Sequence, residues 1–341
     1  MNPNKRFDFV DFARGYAILG IALYHAMQRL PLASWQRQAI ELGGTGVHLF
    51  FLLSGLGLAI SWKGDAGAFY RRRLARVWFP YALALSLSWA AAAWLHFFPD
   101  DWEAWLAGVG LYQMFSNAWI ESFGGHFWFV SAIVQFYIVF PLLMRLLERL
   151  RGPRFVALCV GASVAWWLTV WGMGKESERA WNSFFLQFLW EFGIGMALGL
   201  RLRLRPTPLP RALSLPALAY LPIAALMIGL TAALAKLGGS QGRVFNDVPA
   251  LAGYAALCFG IYGFSLRFLP SLRNAMVWVS GFGYSLYLTH ILALEALTRW
   301  FGLDGSSWLI VVYLPVILLL GVVFERFSAA LMAFFEANVK T

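Results

Sequence analysis

A chain of 341 residues that is 60% hydrophobic and only 13% charged lies far from soluble globular domains, which carry roughly 25% charged residues. Apolar runs of about 20 residues recur along its whole length, each long enough to cross a bilayer as a helix, and the absence of period-2 alternation excludes a transmembrane β-barrel. Metal and P-loop chemistry find no sequence support, because there is no CxxC, HExxH or Walker-type loop, and Cys159 and Cys258 sit inside apolar runs as packing residues.

In chain order the candidate spans are 9–30, 44–62, 77–98, 124–147, 153–173, 183–200, 213–235, 247–266, 275–300 and 308–335. The first follows MNPNKRFDF and has no small-residue cleavage site behind it, so it is read as an uncleaved span and not a signal peptide. The stretch WEAWLAGVGLYQMFSNAWI at 102–120 is the exception. Counted as a crossing, it would turn every later arginine-rich loop outward. Its acidic edge and repeated tryptophans suit an outer interfacial or re-entrant segment instead.

Ten spans with both termini cytoplasmic put 18 of the 27 Lys and Arg residues inside, from Lys5 and Arg6 through the RRRLAR loop to Lys340, and 7 outside; Arg14 and Arg326 lie within spans. That is the positive-inside pattern. The net charge of +10 is therefore mostly topology, and nucleic acid is not an expected partner. The predicted architecture is an all-α polytopic integral membrane protein of about ten transmembrane helices plus the segment at 102–120, in one transmembrane domain over 1–341.

The first span holds an anomaly. FVDFARGYAILGIALYH (9–25) is membrane-grade apart from Asp11, Arg14 and His25. Eleven steps of 100° return to within about 20° of the start, so Arg14 and His25 share a face about 16 Å apart along the axis. Asp11, three residues before Arg14, shares that stripe and can pair with it. An ionisable residue inside a span costs roughly 2.5–3.5 kcal/mol on insertion scales and marks function by default. Asp11 and Arg14 read equally as a buried structural pair. His25 is the sharper candidate, because a neutral imidazole can take a proton from a hydroxyl near neutral pH. His48 and His126 near outer span ends, and His290 within the ninth span, are read first as interfacial hydrogen-bonding residues. All fall on the same side as His25, which an outward-facing polar cavity would explain, as would chance with only five histidines.

These residues resemble a known pattern, that of the membrane acyltransferase family 3, which moves acyl groups onto extracytoplasmic glycans and some small molecules. DFARGYAILGIALYH resembles the family's first-helix signature, an acidic residue and Arg-Gly followed by Tyr24-His25. GGTGVHLFFLLSGLGLAI (43–60), which contains His48, resembles its second-helix stretch, and FYRRRLARVWFPY (69–81) its Arg-x-x-Arg loop. HFWFVSAIVQFYIVFPLL (126–143), with His126, Trp128, Gln135 and Tyr137, resembles its Trp-led fourth-span motif. GYSLYLTHILALE (283–295), with Tyr287 and His290, resembles its late Tyr-Leu-x-His motif. The order is the family's, from residue 8 to about 300. One departure is that Ile133 and Val134 stand where many members carry Glu-Glu, so no role of that carboxylate pair carries over. No hydrolase-like domain follows the tenth helix, which is the stand-alone form.

The resemblance implies that His25 and Arg14 are the essential helix-one pair, and that Arg73 and Arg76, helped by Arg71 and Arg72, hold the phosphates of a cytoplasmic acyl-CoA. Without it, positive-inside bias accounts for that loop. The function implied is transfer of an acyl group, acetyl first, from acyl-CoA to a hydroxyl of an extracytoplasmic or lipid-linked glycan. The setting is the bacterial inner (plasma) membrane, with acyl-CoA as co-substrate and no permanently bound cofactor or metal. His25 serves as general base or as a transient acyl-imidazole, and Arg14 stabilises the oxyanion or orients the donor. The rival class is a transporter or flippase for an amphipathic lipid or glycan, whose internal repeat symmetry is missing: RGYAILGIALYH has no counterpart after residue 170. A structural partner in an envelope assembly is a third option.

Overall fold

The computed structural model describes residues 8–33, 36, 37, 40, 42–96, 98, 101–204 and 216–339. Lys5, Arg6, Arg205, Arg211 and Lys340, which the predicted orientation counts as cytoplasmic, lie outside these residues. Among the described residues there is no strand. The α-helices are α1 Asp8–Met27, α2 Gly46–Ser61, α3 Ala66–Arg73, α4 Phe79–Leu95, α5 Trp102–Val109, α6 Trp128–Gly172, α7 Arg179–Asn182, α8 Leu189–Leu204, α9 Tyr220–Leu237, α10 Gly239–Phe245, α11 Asp247–Phe268, α12 Pro270–Ser280, α13 Gly283–Arg299 and α14 Leu309–Val339. Among the described residues, six helical stretches are long and apolar enough to cross a membrane, and seven if one bent pair counts as a span. The protein is thus polytopic, all-helical and membrane-embedded. The first two predicted spans are helices but fall outside the six. The charges of α1 dilute its hydropathy, and the 16 residues of α2 rise only about 24 Å against a hydrocarbon core of about 30 Å.

Three local features refine the predicted elements. The spans at 124–147 and 153–173 run together as α6, broken at Arg151 (φ 60, ψ 164). The Gly152-Pro153 pair that follows explains the break, since proline cannot continue the hydrogen-bond ladder and restricts the residue before it. The straight span predicted over 275–300 is corrected to a pair, α12 and α13, bent by 85° where Phe282 leaves the helical region. At 102–120 the only α-helix is α5, eight residues capped by the Asp101 carboxylate. Its rise of about 12 Å is too short to cross.

The chain forms two compact units. The first takes Met1–Tyr24, Ala33–Lys63 and Val139–Gly281; the second takes His25–Leu32, Gly64–Ile138 and Phe282–Thr341. In the first, α2 and α8 touch backbone to backbone. A Cβ on Gly55 would stand 2.1 Å from the Phe192 carbonyl oxygen, one on Gly195 2.0 Å from that of Leu52, and one on Gly199 2.4 Å from that of Leu56. Small residues let membrane helices approach this closely, gaining packing where lipid offers no hydrophobic drive. Likewise Gly15 of α1 sits against the Met276 backbone and Gly20 against the Tyr254 hydroxyl. Phe9 stacks on Phe259 at 4.9 Å, and Phe12 meets Tyr262 edge-on at 5.1 Å.

In the second unit α4 is tied to the short α5 by polar tips on aromatic bodies. Tyr81 Oη donates to the Gly108 carbonyl at 2.9 Å and Trp78 Nε1 to that of Val109 at 2.9 Å. Gly321 of α14 lies against Leu286 of α13, and Ser285 donates to Glu325 at 2.6 Å. Glu295, buried on α13, pairs with both Arg29 and Arg299. Removing it leaves two guanidinium groups without their carboxylate. Because both arginines keep water contact, Glu295→Ala should cost at most about 3 kcal/mol, read as a lower melting temperature, with Glu295→Gln losing less.

Candidate active site

Three of the five histidines meet in the second unit. The Gly124-Gly125 pair, both at positive φ (112° and 61°), turns the chain so that His126 enters the interior just before α6. A side chain at Gly124 would stand 2.6 Å from Ile291 and 3.2 Å from His126 Nδ1, so only glycine fits this turn. On α13, Tyr287 and His290 are three residues apart and face the same side. The His290 ring lies 5.0 Å from that of His126 and 5.4 Å from that of His25, which sits in the last turn of α1. Tyr287 packs 5.5 Å from His126 and donates its hydroxyl proton to the His126 carbonyl.

The three rings are not equivalent. His126 faces two carbonyls, Gly124 at 3.1 Å through Nδ1 and Leu288 at 3.4 Å through Nε2, an environment that holds it in place. His290 donates Nδ1–H to the Tyr287 carbonyl at 2.6 Å, and that bond sets its tautomer with the lone pair on Nε2. His290 Nε2 is buried with no hydrogen-bond partner among the described residues. A fixed, unprotonated imidazole nitrogen beside a second imidazole is a means of accepting or relaying a proton. The predicted interfacial roles of His126 and His290 are corrected accordingly. Both are interior residues, 4% and 0% exposed, and backbone carbonyls meet their ring nitrogens there: those of Gly124 and Leu288 for His126, and that of Tyr287 for His290 Nδ1.

The arginine segment lies in the same unit. α3 ends at Arg73 and passes into a π-helical turn, Leu74–Trp78, that carries Arg76; such turns widen the backbone and recur at functional sites. The Arg73 guanidinium lies 5.7 Å from the Tyr137 ring centre and 5.8 Å from that of Phe69, so two aromatic faces orient it. Arg71, Arg72 and Arg76 are exposed. Asp65 caps α3 through the Ala68 N–H at 3.0 Å. That bond, helped by Arg71 and Arg72, keeps its carboxyl below the usual carboxylate range. Gln135 contacts the Met114 sulfur, and Trp128 packs edge-on against Phe129.

The first unit holds the other candidates. Asp11 and Arg14 are paired at 3.7 Å, each about 40% exposed, and the Arg14 guanidinium extends to Gly57 of α2, where a Cβ would meet it at 2.6 Å. The Tyr24 ring lies beside Gly44. His48 also departs from its predicted interfacial role. It is buried against Glu191 and Asp247, with Gln187 on the far side of Asp247. Neither acid stood out in the sequence. Each occupies the first turn of an apolar helix, the same signal that singled out Asp11.

A family model described as an acyltransferase domain matches residues 7–326, nearly the whole chain. The chain belongs to the acyltransferase 3 family. No curated protein and no solved structure matched it. This acyltransferase is a membrane enzyme, and the histidine cluster and the arginine turn described above both fall within the matched residues.

Proposed function

We propose that this acyltransferase moves an acyl group, acetyl first, from cytoplasmic acyl-CoA to a hydroxyl of an extracytoplasmic or lipid-linked glycan in the bacterial plasma membrane, with ten crossings and both termini cytoplasmic. The observation that carries this reading is the contact of the half-buried His25 with the buried His290, an imidazole pair in a chain of an acyl-transferring family. His25 takes the proton of the acceptor hydroxyl. The alkoxide oxygen bonds to the thioester carbonyl carbon, the C–S bond breaks, and CoA leaves as the thiolate, which receives the proton that His25 took, so the imidazole returns to its neutral form. If His25 is acylated first, the acyl-imidazole hands the group to the hydroxyl in a second step. His290, its tautomer set by the Tyr287 carbonyl, is the partner that relays the proton. About 16 Å of helix rise separates Arg14 from His25, so Arg14 is assigned to orienting the donor and not to the oxyanion.

Arg73 and Arg76, with Arg71 and Arg72, hold the CoA phosphates, since guanidinium groups bind phosphate bidentately. Arg73→Ala/Arg76→Ala removes two charge-assisted contacts of about 1.5–3 kcal/mol each. In lipid nanodiscs its affinity for acetyl-CoA should fall at least about 10-fold, in a titration against the wild type. Unchanged affinity in the folded double variant would remove these residues from the donor site.

A further inference from the structure

A second polar cluster, in the first unit, has no part in the acyl-transfer scheme. α2, α8 and α11 each bring one residue of their first turn to it: His48, Glu191 and Asp247. All three are buried, Glu191 completely. His48 Nδ1 lies 2.6 Å from Glu191 Oε1, and His48 Nε2 lies 3.6 Å from Asp247 Oδ1. Gln187 donates Nε2–H to Asp247 Oδ2 at 2.7 Å and to the Val244 carbonyl at 3.1 Å.

We propose that His48, Glu191 and Asp247 bind one divalent metal cation, with Gln187 holding the Asp247 carboxylate.

Charge is the first reason. Among the described residues neither carboxylate pairs with Lys or Arg, so no basic side chain beyond His48 stands against the two acids. Buried charge that is not compensated is costly. A dication with two carboxylates and a neutral imidazole sums to zero. The second reason is a pair of acceptors. Glu191 Oε2 and Gln187 Oε1 are buried with no hydrogen-bond partner among the described residues, and a buried polar atom left without a partner is costly. Geometry is the third. A histidine that ligates metal through one nitrogen usually donates its other N–H to a carboxylate or carbonyl. Here His48 Nε2 is left for the metal beside Asp247 Oδ1, and the Glu191 carboxylate, now on Nδ1, joins them by turning toward that side of the ring.

One ligand atom from each of the three residues can be chosen so that all lie within 4.8 Å of one another. With bonds of about 2.1 Å, a tetrahedral set stands about 3.4 Å apart, close to the 3.6 Å between His48 Nε2 and Asp247 Oδ1. One imidazole with two carboxylates is a borderline donor set, suited to Zn²⁺ or Mn²⁺. No sequence motif announces such a site, because its ligands come from three helices far apart in the chain.

The test uses the full chain, purified with a histidine-free tag in nanodiscs. Metal is counted by mass spectrometry, and melting is followed with and without 1,10-phenanthroline and EDTA, then after adding back Zn²⁺ or Mn²⁺. About one equivalent per chain, a melting temperature several degrees lower after chelation and its recovery on adding metal support the site. So does a loss of at least about 10-fold in retained metal in Glu191→Gln and Asp247→Asn. Wild type without stoichiometric metal, and with melting indifferent to chelator and to added ions, would overturn it, as would a full equivalent in both folded variants. Wild-type chelation and add-back decide the matter even if a variant does not fold. None of these readouts depends on acyl transfer.

Discussion

Gly195→Val should leave little or no folded protein after detergent extraction. Gly195 of α8 faces the backbone of α2, where an added Cβ would stand 2.0 Å from the Leu52 carbonyl oxygen and 2.9 Å from its carbon. No flexible side chain can move aside, so the helices must separate. Gly55 and Gly199 sit at equally close approaches on the same seam, and separation at one point opens all three. The buried Leu53, Leu56, Phe192 and Met196 on these two helices would lose packing with it. A cost above about 4 kcal/mol is the exceptional class of single substitutions, and it is expected here. Fluorescence-detected size exclusion would show a collapsed monodisperse peak for Gly195→Val and a lesser loss for Gly195→Ala. Gly161→Ala, where a Cβ meets nothing, should match the wild type. A wild-type profile for Gly195→Val would refute the packing described for this seam.

His25→Ala should lower acyl transfer by about 10²–10⁴, the range that a positioned general base contributes, without lowering donor affinity. The side chain sits in the last turn of α1 against His290, so its removal leaves the arginine turn and its aromatic platform intact. His290→Ala should also reduce turnover, because it removes the fixed imidazole beside His25. Turnover by folded His25→Ala equal to that of wild type would exclude His25 from the chemistry.

How much of this was legible in the sequence depended on range. The Asp11–Arg14 pair followed from a three-residue spacing on one helix, and the charge balance of the loops argued against a crossing at 102–120, where the α-helix α5 is too short to span. His25 stood out because an imidazole has no cheap place in an apolar span. His126 and His290 were named, but their burial was not foreseen. Whether a histidine near a span end faces lipid, water or another ring is decided by elements more than 100 residues away. Glu191 and Asp247 went unnoticed because a carboxylate in the first turn of a helix also suits the helix dipole. Only the fold brings both to His48. The bend between α12 and α13 falls at SGFGYS, inside the stretch predicted as one span over 275–300; tertiary packing chose the break.

The central claim is that this acyltransferase uses acyl-CoA and that His25 performs the transfer. It is tested most directly by the slow hydrolysis of radiolabelled acetyl-CoA by purified protein in nanodiscs, wild type beside His25→Ala. The expected result is binding and turnover by the wild type, and undiminished binding without turnover by His25→Ala. Wild-type protein with no affinity for acyl-CoA, or a folded His25→Ala that hydrolyses it at the wild-type rate, would contradict the claim.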